Sequence, residues 1–391
     1  MIQLFVDISH FQSYSFVYSI PYLILALLIL IIGRKQILIC ETNDVSYQGK
    51  IILIFIFLIF FGLRWHILSD SMAYEDEFYK IKPIFMLSYL QDHSYWWDPG
   101  FVLFSMLSKL VSSNFFFFVF LNTLLDIFLF SICLKKYSRN ITLTLICFLA
   151  FSGILTEINL MRNIKAILLF IISISYIKDR KLIPFLLLNT LGYFFHSSAL
   201  LFIPMYWVLP RKYNLKLIIL VCFFSSIIYL FGGDYIKNII TNFLSTDSVV
   251  QKAFHYLDVE EENAFSIGNI ERVITLLLGT YMVSKIPKKY DSGYMVIFYN
   301  SYVLFYILYC LFGFNQVFRD RVPFEFIFSY WFLYPYIYSF YSNKFKFAKP
   351  IFIIFFMLKI YTSTNMAAAY YENNIFETTT INQRQKLLEL K

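Results

Sequence analysis

Charge is scarce in this chain. Of its 391 residues only 15% are Asp, Glu, Lys or Arg, while 59% are hydrophobic, more than the ~45–50% usual in soluble domains. Cysteine is scarce too. Cys40, Cys133, Cys147, Cys222 and Cys310 are scattered without any CxxC spacing, which suggests neither a disulfide framework nor a thiolate metal site. Glycine-rich nucleotide loops, metal-ligand spacings and Ser-His-Asp signatures are all missing, so no metal or cofactor is expected. A cleavable leader is not expected either. The first apolar run starts late, lacks a basic n-region and leads into Gly33-Arg34-Lys35 without a small-residue cleavage site. No internal repeat is visible, which weakens a transporter built on inverted repeats.

What is present is a succession of apolar runs divided by short charged loops. The runs read as Phe16–Gly33, Ile51–Leu63, Phe115–Leu134, Ile141–Leu155, Leu160–Ile177, Leu182–Leu209, Leu215–Phe231, Ile270–Ser284, Met295–Phe312, Val322–Tyr341 and Ile351–Thr362. The loops alternate in sign. One set holds Arg34, Lys35, Lys50, Lys135, Lys136, Arg139, Lys178, Arg180, Lys181, Arg211, Lys212, Lys216, Lys285, Lys288, Lys289, Lys344, Lys346 and Lys349, 18 of the 33 basic residues. Only Glu41, Asp44, Asp179 and Asp291 accompany them, whereas the opposite set holds 17 of the 25 carboxylates. By the positive-inside rule the basic set is cytoplasmic and the N-terminus lies outside. The net charge of +8 is therefore a matter of topology, and no nucleic-acid partner is expected. The expected fold is all-α, a polytopic membrane bundle of about 11–12 transmembrane segments. Residues 1–364 form a single membrane domain with long outer loops at 64–100 and 232–269. A polar tail follows at 365–391, with a short helix near its end.

Leu182–Leu209 has basic flanks at both ends, so it enters and leaves on one side. Its 28 residues cannot cross twice, since two spans need ~40. A V of two short helices broken near His196-Ser197-Ser198 solves this. Counting likewise makes 101–112 a re-entrant or interfacial helix on the outer face. His196 is thereby set deep in, or just above, an apolar slab, where an ionisable residue is a functional candidate.

The outer face collects arginines that a mere anchor would avoid: Arg64, Arg162, Arg272, Arg319 and Arg321. Lys165 follows Arg162 one turn later on the same helix face. Guanidinium forks suit pyrophosphate oxygens. The bland alternative is structural pairing with Glu157, Glu271, Asp320 or Glu325. For the Glu260-Glu261-Glu262 run a solvated loop is the simpler reading, and for Trp96 and Trp97 an interfacial anchor.

Four blocks together resemble the Wzy/EpsG-type polysaccharide polymerases. The first is Leu63-Arg64 with Asp70 and Tyr74, where Leu68 stands in place of the family's frequent glycine. The second is Asp98-Pro99-Gly100-Phe101. The third comprises Met161-Arg162-Asn163, the basic turn Lys178–Lys181, and Phe195-His196-Ser197-Ser198-Ala199-Leu200. The fourth is Phe318-Arg319-Asp320-Arg321. The resemblance implies a GT-C-like, metal-independent glycosyltransferase of the bacterial inner membrane, multi-pass, with its site facing the periplasm. It would move a growing glycan from undecaprenyl pyrophosphate onto a lipid-linked oligosaccharide repeat unit, in O-antigen, capsule or exopolysaccharide synthesis. Membrane lipid and a chain-length regulator protein are candidate partners. His196, Asp70 and Glu157 become the candidate catalytic groups. Arg64, Tyr74, Asp98, Arg162, Lys165, Arg272, Arg319 and Arg321 become candidates for binding the substrate and its pyrophosphate. A flippase or exporter of lipid-linked oligosaccharide, or an O-antigen ligase, remains the alternative.

Overall fold

The structure is a computed structural model that describes residues 12–39, 46–82, 97–232, 235, 267–285, 293–319, 321–376 and 379–389. Among these residues the fold is helical throughout, and the pairings Tyr14–Met366 and Arg64–Asn373 are isolated bridges rather than strands. In chain order the helices are α1 Phe16–Ile32, α2 Arg34–Ile39, α3 Tyr47–Gly62, α4 Asp70–Lys80, α5 Pro99–Lys109, α6 Phe115–Tyr137, α7 Ile141–Ala150, α8 Gly153–Ile158 and α9 Asn163–Lys178. They continue with α10 Leu182–Phe195, α11 Met205–Val208, α12 Leu215–Phe231, α13 Ile267–Lys285, α14 Tyr294–Leu311, α15 Gln316–Arg319, α16 Phe328–Lys344, α17 Ala348–Thr364 and α18 Ile381–Glu389.

Polar caps start several of these helices at the ends of the apolar runs. Asn114 accepts from the amides of Phe116 and Phe117 to open α6, and Asn140 accepts from Leu143 to open α7. Such caps satisfy donors that an apolar sequence would otherwise leave bare. The run expected as one element from Ile141 to Leu155 is in fact broken at Phe151-Ser152. Ser152 is left-handed at φ 58°, and a Cβ on Gly153 would sit 2.3 Å from the Phe148 carbonyl oxygen. Only glycine fits so sharp a turn. The segment after Arg64, expected as a loop, also holds a helix, α4.

All ten residues of α7 are buried; it packs chiefly against α16, α1 and α17, and α9, α14 and α16 likewise expose little side-chain surface. Around this centre α1, α3, α10, α12 and α17 turn apolar side chains outward, among them Ile24, Phe55, Leu187, Phe223 and Ile354. Among the described residues two helices, Phe115–Tyr137 and Tyr294–Leu311, are long and apolar enough to cross a membrane, and six more are apolar but shorter. Length and composition thus single out two of the expected crossings.

The chain doubles back after α10. The Tyr206 ring lies 5.2 Å from Phe185, and the Arg180 guanidinium donates to the Tyr206 carbonyl at 3.2 Å. The expected V is therefore present, with its break at His196, whose backbone is extended (φ −159°, ψ 130°). The bundle has two chemically different ends. At one, Lys178 lies over the Tyr294 ring and Asn300 donates to the carbonyls of Leu209 and Arg211. At the other stand Arg64, Arg162, His196, Arg272 and the C-terminal segment.

That segment is built into the fold rather than trailing from it. The amides of Trp65 and Leu68 donate to Glu372 and Ala368 carbonyls, and the Asn374 amide donates to Leu63. Arg384 on α18 is wholly buried. It donates to the carbonyls of His66 and Tyr370 and faces Glu372 at 4.0 Å. Removing one member of a buried charged cluster costs ~3–5 kcal/mol. Arg384→Ala should therefore lower the thermal midpoint of detergent-solubilised protein and open the tail to protease. An unshifted melt with a protected tail would show that the segment is held otherwise.

Candidate functional site

Three elements meet at the break of the V. Asp98 immediately precedes α5, Arg162 precedes α9, and His196 ends α10. The Arg162 guanidinium donates to Asp98 Oδ2 at 2.9 Å, and the Ser197 amide donates to the same carboxylate. Burial pushes the Asp98 carboxyl up from its usual value, and Arg162 beside it pulls it partly back. Tyr74 on α4 is hydrogen-bonded to Arg162, and burial raises its hydroxyl's pKa.

The acid-x-Gly-Phe step now has a physical reason. A Cβ on Gly100 would stand 2.7 Å from the Phe194 carbonyl oxygen, so glycine lets α5 start directly against the end of α10. Phe101 is fully buried and packs on Trp97, Tyr74 and Phe118. Sequence, close approach and ion pair place Asp98 where it can hold Arg162.

On the other side of His196 a chain of polar contacts runs inward. His196 Nδ1 lies 2.6 Å from Ser198 Oγ, which lies 3.0 Å from Asn163 Oδ1. Asn163 Nδ2 donates to Glu325 Oε1 at 2.7 Å. Asn163 and Glu325 are buried. Arg321 acts electrostatically on His196 together with Arg162. Glu325 was foreseeable only as an arginine's counter-ion; its partners are the Asn163 amide and the Ser198 hydroxyl instead. Asn163 carried no signal beyond standing next to Arg162.

Arg64, Lys165 and Glu157 belong to a second, separate cluster inside the bundle. Lys165 Nζ pairs with Asp126 Oδ2 at 2.9 Å and donates to the Met161 carbonyl. Arg64 donates to Thr123 Oγ1 at 3.1 Å and to the Phe61 and Glu157 carbonyls, and Thr123 donates to Glu157 Oε1 at 3.1 Å. All these charged groups are buried. Thr123, Asp126 and Glu157 line a cavity of about 20 Å³, room for about one water. Asp126 was not singled out from sequence, because one acid in the middle of an apolar run gives no partner.

A third group lies toward α12, α13 and α14. The Arg272 guanidinium stacks 3.9 Å above the Tyr309 ring, and Arg319 stands 5.8 Å from the same ring. Among the described residues Arg272 Nε has no hydrogen-bond partner. Together with Asn269, Tyr229 and Tyr306 it lines a pocket of about 180 Å³. Glu271 turns away to Lys359 at 3.4 Å and accepts from Thr275. Asp70 is at the rim, where its amide donates to Asn159 and its carboxylate accepts from Ser69. Asp320, His255, Trp96 and the Glu260–Glu262 run lie outside the described residues. Among the described residues no cluster of His, Cys, Asp and Glu could hold a metal ion.

Two roles for Lys165 make opposite predictions. As the partner of Asp126, its loss leaves a buried uncompensated carboxylate, and Lys165→Met should cost ~3–5 kcal/mol. Lys165→Met/Asp126→Leu should regain most of that. Thermal melts of the two variants decide. If the double variant is as unstable as the single one, pairing with Asp126 is not what Lys165 supplies.

No curated protein and no solved structure matches this chain. The model of the EpsG family matches residues 50–378, well over half the chain and inclusive of all three clusters. With the Arg162–Asp98 bridge and the His196 break inside the matched span, the chain belongs to the EpsG family.

Proposed function

We propose that this protein is a membrane-embedded polymerase of lipid-linked oligosaccharide repeat units. The apolar outward faces of the peripheral helices and the split between lysine and arginine ends support a multi-pass bundle with the arginine end outside. The single observation that carries the reading is the meeting of Arg162 and His196 around Asp98 at the break of the V.

In this reaction the acceptor hydroxyl of a lipid-linked repeat unit attacks C1 of the growing glycan. The C1–O bond to undecaprenyl pyrophosphate breaks, and the electron pair leaves on the pyrophosphate. Guanidinium groups at Arg162 and Arg321 answer that developing charge in a site poor in water. His196 takes the proton from the hydroxyl. Tyr74 and Asp98 orient Arg162 from behind, and Arg272 with Tyr309 offers a further anion and ring surface.

One observation favours the exporter alternative: the buried Arg64, Asp126, Glu157 and Lys165 set charge below the mouth. Those groups are satisfied by one another and enclose about 20 Å³, too little for a glycan path. The polymerase is the better fit.

Arg162→Lys should lose most chain growth, since an ammonium cannot reproduce the fork that reaches both Asp98 and a phosphate. His196→Gln should collapse a ladder of long glycans to single units, as removal of a general base costs ~10²–10⁴ in rate. Gel analysis of the glycan reads both. Long chains from either well-expressed variant would remove that residue from the chemistry, and loss of even the single unit would point to export. Reporter fusions at Lys136, Lys181, Lys212, Lys288 and Lys346 should read cytoplasm. Fusions at Glu77, at Glu261 and after Glu389 should read outside, the last because the tail packs on the Arg64 end. Opposite sides for Lys181 and Lys212 would refute this topology.

A further inference from the structure

His196 can act as a base only through a nitrogen that carries no proton, and its surroundings decide which one that is. Asn163 Nδ2 lies 2.7 Å from Glu325 Oε1. A carboxylate only accepts, so the amide nitrogen faces it and the amide oxygen faces Ser198. Ser198 Oγ lies 3.0 Å from that oxygen and is also hydrogen-bonded to Glu325, so it must donate to one of these two acceptors. Its single proton is then committed, and it can only accept from His196 Nδ1 at 2.6 Å. Nδ1 therefore holds the ring proton.

One contact opposes this order. The Ser198 amide also points at Nδ1, at 3.3 Å, and would favour a bare Nδ1. The shorter contact prevails for a simple reason. Turning the hydroxyl toward the ring would set the lone pairs of Ser198 Oγ and Asn163 Oδ1 against each other in a half-buried place, which costs more than a long amide bond gains.

We propose that Glu325, Asn163 and Ser198 are positioning residues that keep the His196 proton on Nδ1 and leave Nε2 free to accept the substrate's proton. This rests on the polymerase reading. The fold supplies the parts from three elements. Asn163 is the first residue of α9. Ser198 lies in the turn after the break, and Glu325 sits in the Pro323–Phe326 turn that leads into α16. Phe326 packs against Phe202, and Phe202 stacks on Phe170 of α9 at 4.1 Å, so the elements are clamped together by rings. The charged groups around the imidazole are Arg162, Arg321 and Asp98 at the mouth and Glu325 at the inner end of the chain.

The proton balance is complete. Acceptor O–H gives its proton to Nε2 as oxygen bonds to C1, and the C1–O pair departs with the pyrophosphate. The imidazolium, steadied through Ser198 and Asn163 by the Glu325 carboxylate, then releases the proton to water. The logic is that of an oriented imidazole backed by a buried acid.

The test uses full-length protein in lipid nanodiscs with an undecaprenyl-pyrophosphate-linked oligosaccharide. Ser198→Ala and Glu325→Gln should each lower kcat by ~10–10²-fold, part of the ~10²–10⁴ that the base itself supplies, with KM little changed. In the His196→Gln background they should cause no further loss, because they act through that ring. Ser198→Thr keeps a hydroxyl and should restore most of the rate. Additive losses would overturn the proposal. Nitrogen-15 NMR of histidine-labelled protein gives a readout independent of activity. Neutral His196 should be protonated at Nδ1 in the wild type, and at Nε2 in Ser198→Ala, where the backbone amide at 198 is the remaining partner. A wild-type ring protonated at Nε2 refutes the relay even if His196 proves essential. A ring protonated at Nδ1 in a protein that extends no glycan upholds the relay and refutes the polymerase.

Discussion

The arginine end of this bundle depends on one carboxylate. Asp98 ties the start of α5 to Arg162 at the head of α9 and to the Ser197 amide just past α10. Without it, three helix termini would meet with a half-buried guanidinium and an unpaired amide between them. Taking a carboxylate out of water is unfavourable in itself, and that cost shows in the raised Asp98 pKa. It is offset because the two donors are delivered by elements that already pack through Phe101 and the Gly100–Phe194 contact. Arg162 is thus held in place before any ligand arrives, which is what electrostatic catalysis needs.

The arginines of this face fall into two physical kinds. Arg64 and Arg384 are buried, bonded mostly to main-chain carbonyls, and hold segments together: Arg64 joins α3 to α6 and α8, and Arg384 pins the C-terminal helix onto His66 and Tyr370. Arg162, Arg272 and Arg321 keep part of their surface open around His196 and the Tyr309 pocket. Counting cations at a helix end does not separate these kinds, because both serve the same residue type and the same end of the bundle. What separates them is whether the guanidinium faces carbonyls or a cavity.

Much of the architecture was legible because an apolar run, a cap and a change of charge are local signals. The helices over Phe16, Phe115, Leu215 and Met295 begin within a few residues of where the pattern put them, and the V follows from its length and its two basic flanks. The Ser152 break was not legible. An apolar run reads the same whether or not its middle turns left-handed. The grouping of the candidate site was legible in its conspicuous members, Asp98, Arg162 and His196, since each is ionisable where the sequence otherwise avoids charge. Its silent members, Asn163 and Glu325, lie 162 residues apart, and nothing local pairs an amide with a distant acid. Glu157 and Lys165 stood out for the same reason as Arg162 and proved to face inward, because helix phase around a buried neighbour such as Asp126 decides the direction.

Leu68 holds a backbone conformation that usually calls for glycine. Its φ of 62° is the left-handed conformation that glycine adopts freely. A leucine there is strained by ~1–2 kcal/mol. Against that, its side chain is buried, a contribution of ~1.5–3 kcal/mol for a leucine, and its amide is bonded to the Ala368 carbonyl of the C-terminal segment. The two effects nearly cancel. The turn that presents Asp70 and α4 to the mouth is therefore kept with leucine in place of glycine, with the returning C-terminal segment supplying the contacts that hold a left-handed leucine where an unsupported loop would not.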